Sequence, residues 1–402
     1  MNKSNPGDII QYDSRRSSPK LHHATSLKVV QWNIERGYEL DQIIQELAAL
    51  DADIIALQEL DLWCKRSKGV DQLKVICEAL EMKGGFVIEF DELGSPLRSE
   101  RTQGGGFHGN AILSKHDMAF QVIDHKYQPV DWGTEGAKFN EPRLGRRFTL
   151  VAEISTPFKK TLCYSAHLEV FCGLTGRVLQ FSEILEHSLK NSAEYPYQLV
   201  FGDLNTMAHS IARLSPVFCC DRYRWRSLGF SEAEWWWKYL FSWHVGDGPV
   251  NEVLAAAMPE LANYPGILKA ARNPGLYDPW DPSSDITLHN PGYLGLYKAK
   301  LDWTLLRGFK VLEKSIGNQT YTASDHAYLA LEINRCEDLK LIEDPVKFHT
   351  HFPTPKTWIS GVTKNCLLFG FTALAVLSLL KAQNVFIPFL PPSLLHYLVK
   401  KV

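Results

Sequence analysis

The sequence predicts an α/β protein in which strands and helices alternate. Three observations carry this. Residues 28–34 (KVVQWNI) and 53–59 (DIIALQE) are short β-type runs, and residues 40–50 between them place apolar side chains at helical spacing. That is the strand–helix–strand unit a parallel crossover needs. A second alternation follows, with strand-like residues 161–168, a helical pattern over 177–189 and the strand 198–205. In both runs polar groups sit at strand ends, which suggests a duplicated architecture, although no sequence repeat is visible.

In chain order, residues 1–26 are rich in Ser, Arg, Lys and Pro and lack periodicity, so a disordered leader is expected. Structure is expected from Leu27 onward. A helix over about 70–82 and a strand over 86–90 follow the first unit. Residues 91–109 read as a loop. Its Gly104-Gly105-Gly106 is a turn and not a phosphate cradle, because no Gly-Lys-Ser/Thr follows. Further strands are expected at 110–114, 120–127 and 147–154. The stretch 198–205 (QLVFGDLN) reads as a buried strand that delivers Asp203 and Asn205 to a sheet end, with Leu204 turned into the core. Gly202 allows backbone or substrate to come close. Residues 206–300 are irregular, an insertion rich in Pro, Gly and Trp. Trp235, Trp236, Trp237 and Trp243, with Trp225 upstream, form either a buried mini-core or an interfacial docking surface. Strands return at 301–309 and 327–333, closing a domain over 27–335.

With 45% apolar and 11% aromatic residues, the chain can bury a sizeable core. A net charge of −2 gives no global pull toward nucleic acid or acidic lipid, so any phosphate attraction must come from a local patch or a bound metal. The eight cysteines form no C-x-x-C pair, and the N-terminus has no apolar signal-like core. Both point to reduced thiols and a cytosolic setting. Residues 336–360 are linker-like. Residues 361–402 are expected to be a hydrophobic membrane anchor. The uncharged run 365–380 spans roughly 24 Å as a helix, short of the ~30 Å hydrocarbon core. It spans if the helix continues to about 387 with Lys381 snorkelling; otherwise it dips in and breaks at Pro391-Pro392. The expected arrangement is tail-anchored or peripheral, with the main domain in the cytosol.

The polar residues at strand ends are Asn33, Glu59, His167, Asp203, Asn205, Asp302, Asp325 and His326. Burying each alone would cost several kcal/mol, so they are expected to meet in one cleft. Glu59 and the nearby acids are hard oxygen donors that suit Mg²⁺ or Mn²⁺ and not zinc. Asp203 can orient an attacking water. His326, beside Asp325 and paired with Asp302, can carry a proton or donate to a phosphate oxygen. No Ser or Cys occupies a nucleophile elbow. Metal-assisted water attack on a phosphate ester is what fits.

The ordered series QWNIER (Asn33), LQEL (Glu59), GNAILS (Asn110), SAHLE (His167, with Arg177 and Gln180 after it), GDLN (Asp203, Asn205), LDWTLL (Asp302) and SDH (Asp325, His326) resembles the endonuclease/exonuclease/phosphatase superfamily over about residues 28–334. The resemblance implies a four-layer α/β/β/α sandwich of the deoxyribonuclease I-like type. It implies that Glu59 binds Mg²⁺, with Asn33 near the metal and scissile phosphate and Asp325 assisting. Asp203 would activate water, and Asn33, Asn110 and Asn205 would contact substrate. Asp302 would hold His326, and His326 and His167 would act on the phosphate. His167 in its S-x-H-L setting looks more like the deoxyribonuclease, deadenylase, sphingomyelinase and inositol-phosphatase branches than the abasic-site repair branch. The expected activity is that of a Mg²⁺-dependent nuclease or phosphodiesterase, with Arg143, Arg146 and Arg147 either binding backbone phosphates or forming a solvated strand edge. Two alternatives stand beside it. One is a lipid phosphoesterase acting on sphingomyelin or a phosphoinositide, held at the membrane by the tryptophans and the tail. The other is a membrane-tethered binding protein with an inactive site. The expected partners are a phosphodiester, from nucleic acid or a lipid headgroup, and a membrane; no protein partner is expected.

Overall fold

The computed structural model describes residues 4–16, 25–209, 212–213, 215–221, 231–241, 258–264, 266, 272–290 and 297–337. The first sheet is built from β1 (Ile9–Asp13), β2 (Leu27–Asn33), β3 (Ile54–Leu62), β4 (Lys83–Glu92), β5 (Gly106–Ser114), β7 (Arg143–Gly145), β14 (Phe309–Gly317) and β15 (Tyr328–Arg335). Its order is β1-β4-β5-β3-β2-β15-β14, with β7 also paired to β4. The second sheet contains β6 (Met118–Asp124), β8 (Phe148–Ser155), β9 (Lys160–His167), β10 (Tyr197–Asp203) and β13 (Asp302–Arg307), in the order β13-β10-β9-β8-β6. A small ribbon pairs β11 (Leu288–Asn290) with β12 (Tyr297–Ala299).

Each sheet holds one parallel pair, and each pair is joined by a helix. Strands β2 and β3 are linked through α1 (Leu40–Leu50), and β9 and β10 through a long helix, Leu174–Lys190. The expected duplication is therefore present as one crossover per sheet. Helix α1 and helix α2 (Gln72–Leu80) cover the outer face of the first sheet, where Ile43, Leu47, Leu73 and Ile76 pack on Trp32, Leu57 and Phe86. The long helix covers the second sheet, with Val178, Phe181 and Leu185 against Tyr164, Val200 and Leu305. A third apolar layer, including Val29, Ile54, Val87, Ile112, Leu150 and Leu199, lies between the sheets. These three layers make the four-layer sandwich.

The inter-sheet layer changes character along its length. On β2, Val29 lies in the apolar part, while Gln31 and Asn33 share its face further along; on β5, Ile112 gives way to Asn110 and His108. The alternation of β-strands puts these polar side chains between the sheets at one end. A β-bulge in β3 breaks the register between Leu57 and Leu60, so Gln58 and Glu59 together face the single residue Asn110. Glu59 takes a left-handed backbone, φ 60°, at the bulge. Bulges of this kind re-aim a side chain beside a site.

Several expectations need correction. The leader is not structureless throughout: Ile9–Asp13 forms an edge strand on β4, with Tyr12 donating to Asp71 at 2.7 Å. Five residues are too few to show a period, and pairing supplies the missing stability. The expected strand 301–309 is two strands, β13 and β14, turned at Gly308 with φ 80°. Arg143 and Arg147 are neither a solvated edge nor free for phosphate. Both are buried, Arg143 against Glu92 and Glu141 and Arg147 against Glu89, and Arg143 stacks on Trp132 at 3.5 Å. Arg146 is the exposed one and pairs with Asp124. In the insertion, Trp235 and Trp236 are buried in the layer under the long helix, so these two do not form a docking surface. Arg177 fastens that segment through a two-pronged bond to Glu232, at 2.8 and 2.7 Å. Trp225 and Trp243 lie outside the described residues, as do most of the linker and the whole of the expected anchor, 361–402. Among the described residues no helix is long and apolar enough to cross a membrane.

Gly202 shows what the crossover requires. A Cβ there would collide with the carbonyl oxygen of Ala166 on the neighbouring parallel strand. Gly202→Ala is expected to destabilise the fold by about 1–3 kcal/mol, read as a lower urea midpoint at unchanged slope.

Candidate functional site

The polar end of the inter-sheet layer opens where β2, β9 and β10 end and β13 begins. Asn33 is the last residue of β2, His167 of β9 and Asp203 of β10, while Asp302 opens β13 directly opposite Asp203. The two sheets meet here through hydrogen bonds. The Asn33 amide donates to Asp203 at 2.9 Å and to Glu59 at 3.3 Å. Gln31 donates to Asp302 and to Gln58, both at 2.8 Å, and Gln58 donates to Ser165 at 3.0 Å.

Asp302 holds His326. Its carboxylate accepts from His326 Nδ1 at 2.7 Å, and the His326 Nε2 lies 3.8 Å from both Asp203 and Asp325. Burial works against a charged imidazole, but Asp302, Asp325 and Asp203 outweigh it and raise His326 well above its ordinary pKa. His326 is thus a cation with Nε2–H facing the cleft. His167 is the opposite case. Its Nε2 lies 3.7 Å from Asp203 and 3.9 Å from Glu59, yet burial first, and Arg147 next, hold its pKa well below the usual range. It stays neutral.

The carboxylates are crowded. Burial, helped by Asp302 and opposed by His326, pushes Asp203 up to about 7. Burial, with Glu35, Glu59 and Asp203 adding to it, pushes Asp325 up to about 7 as well, again opposed by His326. Glu59 differs: burial tends to raise it, but His108, Arg36 and His326 surround it and keep it below its ordinary value. Like charges forced together out of water are the signature of a place that a cation would relieve.

Two donor groups present themselves for a metal. Asp203, Asp302 and His326 offer atoms within 4.8 Å of one another. Two of these are engaged, however. Asp302 accepts from both His326 and Gln31, and a charged imidazole has no lone pair to give. Glu59 and Asp325 instead keep 23% and 35% of their side chains exposed to the cleft, whereas Asp203 and Asp302 keep 2% and 0%. The more accessible carboxylate oxygens are therefore those of Glu59 and Asp325, hard donors of the type a divalent cation takes.

The remaining expected residues are placed as follows. Asn205 has a left-handed backbone, φ 50°; its N–H donates to Asp203 at 2.8 Å and its side-chain amide to the Leu168 carbonyl at 2.8 Å. Asn33 turns its own oxygen to the Glu35 N–H at 3.1 Å, so toward the carboxylates it acts as a donor. Asn110 is fully buried, and neither of its amide atoms has a protein partner. Gln180 accepts from the Glu169 N–H, and Arg177 binds Glu232; both support the scaffold. In the glycine run, Gly104 and Gly105 donate their N–H groups to protein oxygens, as a turn does. Sequence reading missed Gln31, Gln58, Ser165 and the pair Asp61–His108. For Gln31, Gln58 and Ser165 the signal was available, since each is a polar residue at the inward phase of a strand; Asp61 turns inward only through the bulge in β3.

A model of the endonuclease/exonuclease/phosphatase family matches residues 30–326. No curated protein matches. Solved structures that match include an endonuclease/exonuclease/phosphatase from Beutenbergia cavernae DSM 12333, 16% identical over 78% of this chain and 72% of that one, TM-score 0.48. ANGEL2, a 2′,3′-cyclic phosphatase in complex with adenosine-2′,3′-vanadate, is 12% identical over 83% and 99%, TM-score 0.47. D. rerio TDP2 with a single-strand DNA product is 15% identical over 77% and 100%, TM-score 0.42.

Asp302→Asn removes the charge that holds His326 protonated. It is expected to lower kcat by about 10²–10⁴-fold while the urea midpoint moves little, as measured by phosphoester hydrolysis alongside unfolding.

Proposed function

The chain belongs to the endonuclease/exonuclease/phosphatase family, and on that premise we propose that it is a Mg²⁺-dependent phosphoester hydrolase, of the nuclease or phosphodiesterase type, that uses water as its nucleophile. The single observation that carries this reading is the Asp302–His326 bond with Asp203 and Glu59 gathered around it.

Glu59 and Asp325 would hold the ion, with Asn33 fixing the Glu59 carboxylate by its donated hydrogen bond. When bound, Mg²⁺ supplies charge to offset what builds up on the phosphoryl oxygens, Mn²⁺ being able to take its place. His326, kept charged by Asp302, donates Nε2–H to a phosphate oxygen. Asp203 orients the water and accepts from it; its raised affinity for a proton suits an acceptor near neutral pH. Asn33 and Asn205 steady Asp203 so that its free lone pairs face the cleft. Neutral His167 contacts the same phosphate from the other sheet. Asn110, with both amide atoms unpartnered, takes substrate or its bound water.

A local apolar anchor would concentrate such an enzyme at a membrane, and residues 361–402 have the composition for it. We place the main domain in the cytosol on its scattered cysteines, which suit a reducing compartment. The lipid-directed alternative loses the support of Trp235 and Trp236, which are buried.

Purified full-length protein is expected to hydrolyse bis(p-nitrophenyl) phosphate with Mg²⁺, to lose that activity in EDTA and to regain it on adding Mg²⁺. Glu59→Gln should raise the Mg²⁺ needed for half-maximal rate by about 10–100-fold. Turnover indifferent to EDTA would remove the reading. Deleting residues 361–402 should move the protein from the membrane to the soluble fraction on centrifugation; unchanged membrane association would reject the anchor.

A further inference from the structure

The turn that follows β2 carries an arginine that the reaction described above does not use. Glu35, Arg36 and Gly37 take left-handed backbones in succession, with φ 46°, 61° and 59°. Two non-glycine residues in that region are costly, so their surroundings must hold them there. Gln72, buried at the start of α2, does so. Its Nε2 donates to the carbonyls of Arg36 at 2.9 Å and Gly37 at 3.3 Å, and its Oε1 accepts from the Asp61 N–H at 2.8 Å. Asp61 lies two residues beyond Glu59 on β3, so one side chain ties the turn to the bulged strand. On its other side the turn is fastened to the segment before β15. Glu35 accepts from the Asp325 N–H at 3.1 Å, and the Asn33 carbonyl accepts from Ser324 at 2.8 Å.

This turn sets the Arg36 guanidinium beside Glu59. Its Nε lies 4.0 Å from Glu59 Oε2, and its Nη2 donates to Glu141 at 2.6 Å. The arginines that only brace the scaffold are bound differently. Arg66 closes two bonds of 2.7 Å on Asp61, Arg177 closes two of 2.8 and 2.7 Å on Glu232, and both side chains are fully buried. Arg36 gives Glu141 one bond, and its side chain keeps 16% exposure next to the partly open Glu59. Tyr38, close by, turns its hydroxyl to the Arg101 carbonyl at 2.6 Å. A guanidinium has five N–H donors in a planar fork that suits phosphate as well as carboxylate. Among the described residues the Arg36 Nε bonds no protein acceptor. A fixed cation with donors to spare therefore stands at the open side of the Glu59 carboxylate.

We propose that Arg36 is a substrate-binding residue, whose guanidinium donates to an unesterified oxygen of the phosphate lying against Glu59. This rests on the phosphoesterase reading of the site and adds the cation that receives the anionic part of the substrate. Glu141 keeps hold of Nη2 and so steers the fork, leaving Nε to the phosphate. A charge-assisted bond of this kind offsets the repulsion that the surrounding carboxylates exert on an incoming anion.

The test measures two affinities of the full-length protein: inorganic phosphate by calorimetry in saturating Mg²⁺, and Mn²⁺ by electron paramagnetic resonance without phosphate. Arg36→Gln should weaken phosphate binding by about 10- to 100-fold, the worth of one hydrogen bond to a charged group, and raise KM for bis(p-nitrophenyl) phosphate. Its Mn²⁺ affinity should be no weaker than that of the wild type, because the cation removed stood beside a metal ligand. Phosphate binding within twofold of the wild type overturns the proposal. So does a loss of Mn²⁺ affinity in place of phosphate affinity, which would make Arg36 a brace for Glu59. Should Arg36→Gln fail to fold, Arg36→Lys decides. A point charge in place of the fork should cost about three- to tenfold in phosphate affinity at unchanged Mn²⁺ affinity, and no loss overturns the proposal. Phosphate bound by a wild type that hydrolyses no ester would count against the phosphoesterase reading and leave the Arg36 comparison to stand on its own. A metal-saturated wild type that binds no phosphate overturns the proposal.

Discussion

The hydrogen bond from Asn33 to Asp203 joins two sheets at the point where a strand of each one ends. Everything else in the site depends on that closure. Two stacked sheets can bury apolar side chains between them without further provision, and over most of their area they do. Where the layer turns polar, each buried donor and acceptor needs a partner on the facing sheet, since an orphan costs about 1–3 kcal/mol. Asn33, Gln31, Gln58 and Ser165 supply those partners in a chain that crosses from one sheet to the other. The same chain fixes Asp302, and through it His326. Rigid strand ends, not loops, therefore hold the reacting groups.

Charge is arranged on the same frame. Asp203, Asp302, Glu59 and Asp325 crowd the polar end of the inter-sheet layer, where His326 faces them and Arg36 stands 4.0 Å from Glu59. The arginines nearby are bound mainly to other carboxylates: Arg36 to Glu141, reaching Glu59 only at 4.0 Å, Arg66 to Asp61, Arg143 to Glu92 and Arg147 to Glu89. Burial and mutual repulsion raise the proton affinity of Asp203 and Asp325, the sign of an excess of negative charge at the site. That excess is what a divalent cation answers, and a phosphate would otherwise be repelled by it.

Much of this was legible in the sequence. The crossover 28–59 was readable because β2 from Val29 and β3 from Ile54 run apolar on both faces until Gln31 and Gln58, and α1 between them keeps a clear helical period. The strand-end residues stood out because a polar side chain that closes a buried apolar run is costly unless it meets a partner. What was not legible depends on distant partners. Arg147 and Glu89 meet across 58 residues, and no local pattern tells a buried arginine from a solvated one. Strand β1 is short, and β14 is exposed over most of its length, including Leu312, so neither has the alternation that marks a half-buried strand. Asp61 and His108 were hidden for the same reason as the arginines: only the antiparallel register of β3 and β5 brings them together.

The most direct test of the account is Mn²⁺ used as a paramagnetic probe of the imidazole resonances. If one cation sits where the two sheets close, low Mn²⁺ should broaden His167 and His326 together, from separate sheets, and spare His116 and His187 at a distance from the cleft. Broadening of neither, or of His116 and His187 in their place, would contradict the convergence on which the whole reading stands.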